Sequence, residues 1–351
     1  MKPADLSSHI SKWFDGSGPV ADIVISSRVR LARNLAGFEF LPCLTPQKKT
    51  DVLNKLKDIL LSLKLDEKIF FIDVDQVSEL ERDLLVERHL VSRQHIKGEG
   101  PRGVAVVPSE SFTAMVNEED HLRIQTFKTG LQLDDCWKQI NKIDNMIEQK
   151  VDYAFDPHFG YLTACPTNLG TGIRVSVMLH LPALKMTGQI EKFLNAAKDS
   201  DLVVRGLFGE GTEAMGDFFQ LSNQVTLGSS EIEIVENFSK NIVPKIVEYE
   251  TLAREKLLQT KANALDDKIQ RALGVLRSAR LISSQEALFL LSNVRMGVNL
   301  GRVDNISIAT INELFMLTQP AHLQLNSGKT LPPDSRDAMR AQIIRSKLCQ
   351  N

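Results

Sequence analysis

Arginines, carboxylates and a cysteine recur in four short segments of the chain, and phosphoryl transfer uses these residue types. The segments read SSRVR (26–30), NEEDHLR (117–123), CPTNLGTGIRVS (165–176) and RGLFGEGTEAMG (205–216). A phosphoryl group in transfer spreads negative charge over its oxygens, and arginine offers a planar fork of donors that matches them. Each arginine alone is more often a residue of a surface ion pair. Together they predict a polyphosphate clamp made of Arg28, Arg30, Arg123, Arg174 and Arg205.

Two acidic residues are candidates for the acceptor side of such a reaction. A guanidinium acceptor has a pKa above about 12, so its nucleophilic nitrogen must be oriented and relieved of a proton, which a paired carboxylate does well. Glu119 and Glu210 are the candidates. The alternatives are a solvated acidic turn at 118–120 and a carboxylate beside a flexible glycine loop.

The third segment adds glycines and a cysteine. Gly170 and Gly172 would let backbone N–H groups approach a phosphate, although the segment matches neither a Walker loop nor a GxGxxG fingerprint. Cys165 is either a buried small residue, the usual state of a free cysteine, or a thiolate that positions a cationic acceptor.

Short β-like runs joined by short turns predict an antiparallel sheet in an α+β fold. In the run 173–181, alternation puts Ile173, Val175 and Val177 on one face and Arg174 and Ser176 on the other. One face is therefore expected to pack and the other to meet ligand. The predicted runs are 103–107, 112–116, 121–127, 173–181, 202–208 and 223–227.

Helical periodicity covers 46–63, 76–90, 134–150 and 230–258. The last of these begins with a capping box, Ser230 and Glu233, and Pro244 predicts a kink in it. Only shorter helices are expected afterwards, one of them from Ser283 to before Gly301. We place the domain boundary at 258–264, which predicts a catalytic domain at 1–258 and an all-helical domain at 259–351.

Composition describes an ordinary globular protein of 351 residues, 43% hydrophobic and 25% charged. Its four cysteines lack disulfide or zinc spacing, and no stretch is apolar enough for a signal peptide or a membrane span, so a cytoplasmic protein without membrane contact is expected. From Lys256 onward 13 Lys and Arg stand against 7 Asp and Glu, a net charge of +6 that suits an anionic partner. The two aromatic residues of this region offer little stacking surface, which argues against direct nucleic acid binding.

The four segments, in this order, resemble the catalytic motifs of the phosphagen (ATP:guanido) kinases, and the resemblance covers nearly the whole chain. The further runs RVRLARN, VERHL and SVMLHLPAL are most similar to the protein arginine kinase branch of that family. The resemblance implies a kinase that uses ATP and makes a phosphoramidate on a guanidino group. It also implies Mg²⁺ held mainly through the nucleotide phosphates, with no metal site made of side chains.

The resemblance assigns roles to individual residues. Catalysis at the acceptor is assigned to Glu119, Glu210 and Cys165. An allosteric phosphoarginine site is assigned to the RDAMRA segment, at Arg336, Asp337, Arg340 and Ala341. ATP binding is assigned to Ser26, Ser27, Arg28, Val29, Arg30, His89, Arg123, Arg174, Val175, Ser176, Val177, Met178, Arg205, Gly206, Leu207, Phe208, Gly209 and Glu210.

Two departures favour the protein kinase branch over kinases of small guanidines. Met178 stands where the small-substrate members commonly have a histidine, and SSRVR begins at residue 26, which leaves no room for their all-helical domain before it. Family resemblance further implies protein substrates that carry arginine, marked for regulation or degradation, an activator protein, clients of a protease complex and a homodimer. The rival hypotheses are a kinase of free arginine or another small guanidine and a non-catalytic adaptor that binds phosphoarginine.

Overall fold

The computed structural model describes residues 3–206 and 215–349, in which strands and helices alternate up to residue 223 and only helices follow. The strands are β1 (Val24–Arg33), β2 (Phe70–Asp73), β3 (Gly103–Val106), β4 (Phe112–Val116), β5 (Leu122–Thr129), β6 (Phe155–Asp156), β7 (Gly160–Tyr161), β8 (Ile173–His180), β9 (Leu202–Arg205) and β10 (Phe218–Asn223). The helices are α1 (Pro46–Leu61), α2 (Glu79–Glu87), α3 (Arg93–Lys97), α4 (Leu133–Glu148), α5 (Pro182–Met186), α6 (Ile190–Asp199), α7 (Glu231–Glu236), α8 (Val243–Ser278), α9 (Ser284–Asn299), α10 (Ile308–Leu317), α11 (Pro320–Ser327) and α12 (Pro333–Cys349).

Eight of the described strands form one antiparallel sheet in the order β2-β3-β4-β5-β1-β8-β10-β9, while β6 and β7 form a separate hairpin. The predicted α+β fold with an antiparallel sheet is thereby confirmed. Strand β1 lies at the centre, and its alternating residues Val29 and Leu31 are fully buried. A strand in this position carries its other residues, Arg28 and Arg30, onto the opposite face.

The strand register aligns the basic residues across the sheet. Arg30 of β1 lies opposite Gln125 of β5 on one side and Arg174 of β8 on the other. Arg123 comes two residues before Gln125 and so lies on the same face of the sheet. The register therefore converts arginines far apart in sequence into one basic surface.

The opposite face of the sheet packs on helix α4, which carries an apolar stripe. Ile140, Ile143 and Ile147 follow at three- and four-residue spacing and are all buried in the main hydrophobic cluster together with Val29 and Val175. Helix α4 thus covers the apolar face of the sheet, and the face with the arginines is left open to a ligand.

The long helical region begins with the capping box predicted for it. Ser230 Oγ accepts the Glu233 backbone N–H at 3.3 Å, and the Glu233 carboxylate accepts that of Ser230 at 2.8 Å. A π-helical turn (Asn237–Ile242) separates α7 from α8, and Pro244 lies in the first turn of α8. Helix α8 runs through the predicted boundary at 258–264 and is kinked there at Lys261 (φ −142°). The two-domain division remains a prediction.

Some strand predictions need correction. No described strand covers 223–227; the strand lies just before it, as β10, because its residues pair with β8 and β9. Strand β2 was not predicted, and its edge position explains its short and weakly alternating sequence. The run 202–208 is a strand at Leu202–Arg205, and Leu207 and Phe208 lie outside the described residues.

The C-terminal helices pack directly on the sheet and share its core. His180, the last residue of β8, contacts Ser292 of α9 at 2.9 Å and Arg295 at 3.0 Å. Arg295 is buried and donates to the carbonyl oxygens of Ala21 and Asp22. In the part of the chain that the structure describes, no helix is both long and apolar enough to cross a membrane.

Candidate active site

A cleft of about 440 Å³ opens on the basic face of the sheet. All five arginines of the predicted clamp line it, from β1, β5, β8 and β9. The structure thus brings together side chains that the sequence spreads from residue 28 to residue 205.

Burial and repulsion by neighbouring arginines dominate the electrostatics of Arg28 and Arg30. Burial, reinforced by the charges of Arg123, Arg174 and Arg205, lowers the pKa of Arg28 to about 9. The pKa of Arg30 is lowered well below its ordinary value, again by burial first and then by the neighbouring arginines. Arg30 is 9% exposed, and its Nε and Nη2 have no hydrogen-bond partner among the described residues. Unneutralised buried cations are costly, so this end of the cleft fits a polyanion such as a nucleotide polyphosphate.

One arginine of the cluster already has an acidic partner. Arg123 Nη1 donates to the Glu118 carboxylate at 2.6 Å, and Ser92 Oγ donates to the same carboxylate at 2.5 Å. Burial alone would raise the pKa of Glu118, but the Arg123 charge and these hydrogen bonds outweigh it and lower that pKa. Arg123 is therefore held in a fixed orientation before any ligand binds.

The candidate acceptor residues lie at another part of the same cleft. Glu119 and Cys165 both line it, and their side chains hydrogen bond to each other. The Cys165 thiol also contacts Thr167 Oγ1 at 3.0 Å. Burial is the main cause that raises the pKa of the Glu119 carboxyl above its ordinary value. A half-buried carboxylate in this position can pair with an incoming guanidinium and accept its proton.

His89 lines the cleft at its boundary with a small recess formed by Trp13, Ser26, Phe127, Ser176, Met178 and other residues. The imidazole meets Trp13 edge to face at 5.3 Å, and the His89 backbone is in the left-handed region (φ 58°). Burial, and next to it the Arg28 charge, lowers the pKa of His89 to about 3. The ring is therefore neutral at physiological pH and can contact a flat ligand as an aromatic ring.

Several residues of the predicted ATP site do not face the cleft. Val29, Val175 and Val177 belong to the core behind the sheet. Ser27 Oγ donates to the carbonyl oxygen of Gly130 and accepts the Gln132 N–H, both behind β1. These four residues could therefore contact a nucleotide only through their backbone atoms. Leu207, Phe208, Gly209 and Glu210 lie outside the described residues, so their assigned roles stay predictions.

The cleft also holds polar residues that the sequence reasoning missed. Gln125 donates to the carbonyl oxygen of His89 at 3.0 Å and thereby holds that residue at the cleft. Its position two residues after Arg123, on the same face of the strand, is a sequence signal that predicts a place in the cleft. Gln220 lies opposite both Met178 and Arg205 in the register. Other missed lining residues are Ser92, Arg93, Gln94, Glu118, Thr167, Asn168 and Gln224.

Comparison with known proteins gives the family. Residues 51–253 match the ATP:guanido phosphotransferase C-terminal catalytic domain, and residues 262–351 match the protein-arginine kinase McsB C-terminal domain. A protein-arginine kinase of Halothermothrix orenii is 43% identical over 343 residues, which cover 98% of each chain. One of Brevibacillus brevis is 46% identical over 341 residues, which cover 96% of this chain and 95% of the relative. The chain belongs to the protein-arginine kinase family.

Solved structures of small-guanidine kinases share the fold. A crystal structure of lombricine kinase aligns with a TM-score of 0.59 at 25% identity and covers 71% of this chain and 70% of that one. The duplicated taurocyamine kinase of Schistosoma mansoni, with bound transition-state analogue components, aligns with a TM-score of 0.61 at 25% identity. That alignment covers 81% of this chain and 40% of the taurocyamine kinase.

In this protein-arginine kinase, the RDAMRA segment lies on helix α12. Arg340 is 1% exposed and donates to the carbonyl oxygens of Thr318 and Ile282, each at 2.8 Å, and to Asp337 at 2.5 Å. Arg336 and Asp337 are partly exposed, and Ala341 is buried. Arg340 thus ties three helical segments together. The predicted phosphoarginine site remains a prediction, and its accessible members are Arg336 and Asp337.

The described ranges contain no group of three or more His, Cys, Asp or Glu side chains that could hold a metal ion.

Proposed function

We propose that this protein-arginine kinase transfers the γ-phosphoryl group of ATP to the guanidino group of arginine residues in proteins. One observation carries the proposal: a single cleft joins a buried arginine cluster to a half-buried carboxylate, Glu119, beside Cys165. The cluster suits a polyphosphate, and the carboxylate suits a guanidinium. In this reaction the new bond is N–P, the bond from Pγ to the β–γ bridging oxygen breaks, and ADP leaves.

Different residues of the cleft are proposed for different parts of the phosphoryl transfer. The arginines neutralise the charge on the transferring phosphoryl group, and Arg123, held by Glu118, does so from a fixed position. Glu119 pairs with the guanidinium, aligns its nitrogen and accepts the proton that the nitrogen loses. Cys165 holds the other side of the acceptor, and Glu210 is proposed as the second carboxylate. His89 contacts the adenine ring. Mg²⁺, bound mainly through the phosphates, would add further charge neutralisation.

Two rival functions make different predictions. A kinase of free arginine would use the same cleft, but relatives over nearly the full length are protein-arginine kinases, and the chain carries the C-terminal domain of that type. A binding-only adaptor would gain nothing from a cleft that joins the buried, incompletely hydrogen-bonded Arg30 to Glu119. We also propose a catalytic domain at 1–258 and a regulatory domain at 259–351 that binds phosphoarginine. We further propose a homodimer, an activator protein, and cytoplasmic client proteins that are regulated or degraded.

Purified protein incubated with γ-labelled ATP tests the proposal when three samples run in parallel. One contains an unfolded arginine-rich protein, one free arginine, and one no acceptor. Label on the added protein at a rate well above that on free arginine supports the proposal. Label on free arginine alone supports the small-guanidine kinase, and absence of transfer in all three samples contradicts both kinase hypotheses.

A further inference from the structure

Exposed apolar side chains surround one segment at the acceptor end of the cleft. Phe155 and Phe159, on the β6–β7 hairpin, and Val225 and Leu227, after β10, are each 51% to 58% exposed. A single exposed apolar residue is common on protein surfaces, but a group of four beside a cleft marks an interaction site. We call these four residues the apolar rim.

Backbone contacts hold both halves of the apolar rim against the same loop. The Tyr161 N–H donates to Gly170 O at 2.7 Å, and the Phe155 and Tyr161 rings meet at 5.3 Å. On the other side, the Thr171 N–H donates to Thr226 O at 3.1 Å, and Thr226 Oγ1 donates to Leu169 O at 2.6 Å. The loop that leads from Cys165 to Thr171 therefore lies between the hairpin and the 225–227 segment.

Glycine is required where these pieces meet. Gly170 has φ 105°, and a Cβ on it would lie 2.6 Å from Thr226 O and 3.0 Å from Leu227 Cα. A Cβ on Gly160 would lie 2.5 Å from Gly170 O. Such close backbone packing fixes the apolar rim relative to the cleft, because neither half can shift without displacing the loop.

The loop between the two halves also lines the cleft, which makes the apolar rim continuous with the acceptor site. Cys165, Thr167 and Asn168 of this loop face the cleft, and Gln224 does so immediately before Val225. Thr163 and Ala164 connect the hairpin to Cys165, and the Ala164 N–H donates to Asp120 next to Glu119. An acceptor bound at Glu119 would leave the cleft toward these apolar side chains.

Charges of both signs lie near the apolar rim. Asp152 and Asp156 belong to the hairpin segment, but Arg33 lies over the Tyr161 ring at 3.6 Å, and Glu236 is paired with Lys240. Charge therefore does not select the ligand here, and apolar contact does. Apolar contact beside the Glu119 carboxylate describes one ligand class: an extended polypeptide with apolar residues flanking a target arginine.

We propose that the apolar rim is the docking surface for the polypeptide that carries the acceptor arginine. This inference rests on the proposed function and adds a substrate preference for arginines that are flanked by apolar residues. Folded proteins bury such apolar segments, whereas unfolded proteins expose them. The rim residues contact the polypeptide beside the arginine and take no part in the transfer itself.

The double variants Phe155→Ser/Phe159→Ser and Val225→Ser/Leu227→Ser test this proposal, with Phe289→Ser as the matched control. Phe289 is 46% exposed but lies on α9, away from the cleft-lining residues. Acceptors are a peptide with arginine between leucines, the same peptide with serines for leucines, and N-acetylarginine amide. We expect a roughly tenfold higher KM for the leucine peptide in both double variants. The KM for the serine peptide and the amide, the kcat values, and the control should match wild type.

A binding assay separates this proposal from the proposed function. Fluorescence anisotropy with the leucine peptide carrying lysine for arginine measures docking without transfer. Weaker binding by the double variants than by the control supports the docking surface even if no acceptor is phosphorylated. Equal binding and equal KM in all variants overturn the docking proposal while leaving arginine phosphorylation intact. A change of oligomeric state in the double variants, measured by sedimentation, would overturn it in favour of an interface between two copies of the chain.

Discussion

The Glu87 carboxylate contacts His322 Nδ1 at 2.8 Å and accepts the His322 backbone N–H at 3.1 Å. Arg88 Nη1 lies 3.1 Å from His322 Nε2, and because a guanidinium only donates, Nε2 accepts and Nδ1 carries the proton. The next residue, His89, lines the cleft. Three consecutive residues therefore connect helix α11 of the C-terminal region to the part of the cleft that His89 lines.

We predict that His322→Ala weakens both the fold and nucleotide binding. The substitution leaves the buried Arg88 guanidinium short of one acceptor and should lower the free energy of unfolding by about 1–3 kcal/mol. It should also reduce affinity for a non-hydrolysable ATP analogue, because the strained His89 backbone loses its neighbouring anchor. Chemical denaturation and calorimetry measure the two effects. The exposed His158→Ala is the control, and unchanged nucleotide affinity in His322→Ala would contradict the connection.

Arg30→Met should stabilise the ligand-free protein and weaken nucleotide binding. The buried Arg30 guanidinium is repelled by its neighbours and incompletely hydrogen bonded, so an apolar side chain of similar length should raise the free energy of unfolding by about 1–3 kcal/mol. Loss of a charged hydrogen bond to phosphate should weaken ATP binding about 10-fold to 100-fold. Thermal unfolding with and without ATP measures both. The surface variant Arg271→Met should change neither, and a less stable Arg30→Met protein would contradict the repulsion.

Glu119→Gln should reduce kcat about 100-fold to 10,000-fold and leave ATP affinity near wild type, because the carboxylate acts on the acceptor. The raised pKa of Glu119 adds a pH effect. The reactive form is the carboxylate, so activity is lost as the pH falls through that pKa. The acid limb of kcat/KM should lie above the ordinary glutamate value of about 4.3. Glu99→Gln, at an exposed position, serves as the control; an acid limb that persists unchanged in Glu119→Gln would assign it to another group.

Arg340→Ala should be a folding defect rather than a clean loss of ligand binding. It would leave the carbonyl oxygens of Thr318 and Ile282 without their donor, and each such buried group costs about 1–3 kcal/mol. Arg336→Ala should leave stability unchanged. If helix α12 binds phosphoarginine, calorimetry should detect a loss of binding in Arg336→Ala with stability preserved. A stable Arg340→Ala protein would contradict the structural role.

The five arginines that line the cleft and the sheet class could be predicted because both follow from local sequence. Arg174 and Ser176 alternate with buried residues in β8, and Ser230 with Glu233 is a local capping signal. The strand order could not be predicted, because it depends on pairings between distant segments. The pairing of Glu118 with Arg123 and the contact of Gln125 with the His89 carbonyl oxygen therefore emerged only from the fold.

The helical region shows which contacts could not be predicted from the sequence. A run of helices after residue 258 was predictable from periodicity, but their packing against β8 was not. His180 alternates in step with Arg174 and Ser176 on β8, yet it is buried against Ser292 and Arg295. Arg340 likewise reads as an exposed ligand residue, and it is buried because two helix ends supply carbonyl oxygens that no local pattern predicts.

The chemical stability of the phosphorylated product tests the central claim most directly. A protein substrate labelled by the wild-type enzyme from γ-labelled ATP is divided between hot acid and alkali, then mapped by mass spectrometry under conditions that preserve the P–N bond. Phosphoarginine should lose its label in acid and keep it in alkali, and the label should map to arginine and be nearly absent with Glu119→Gln. Label that survives hot acid, or that maps to serine, threonine or tyrosine, would contradict the account.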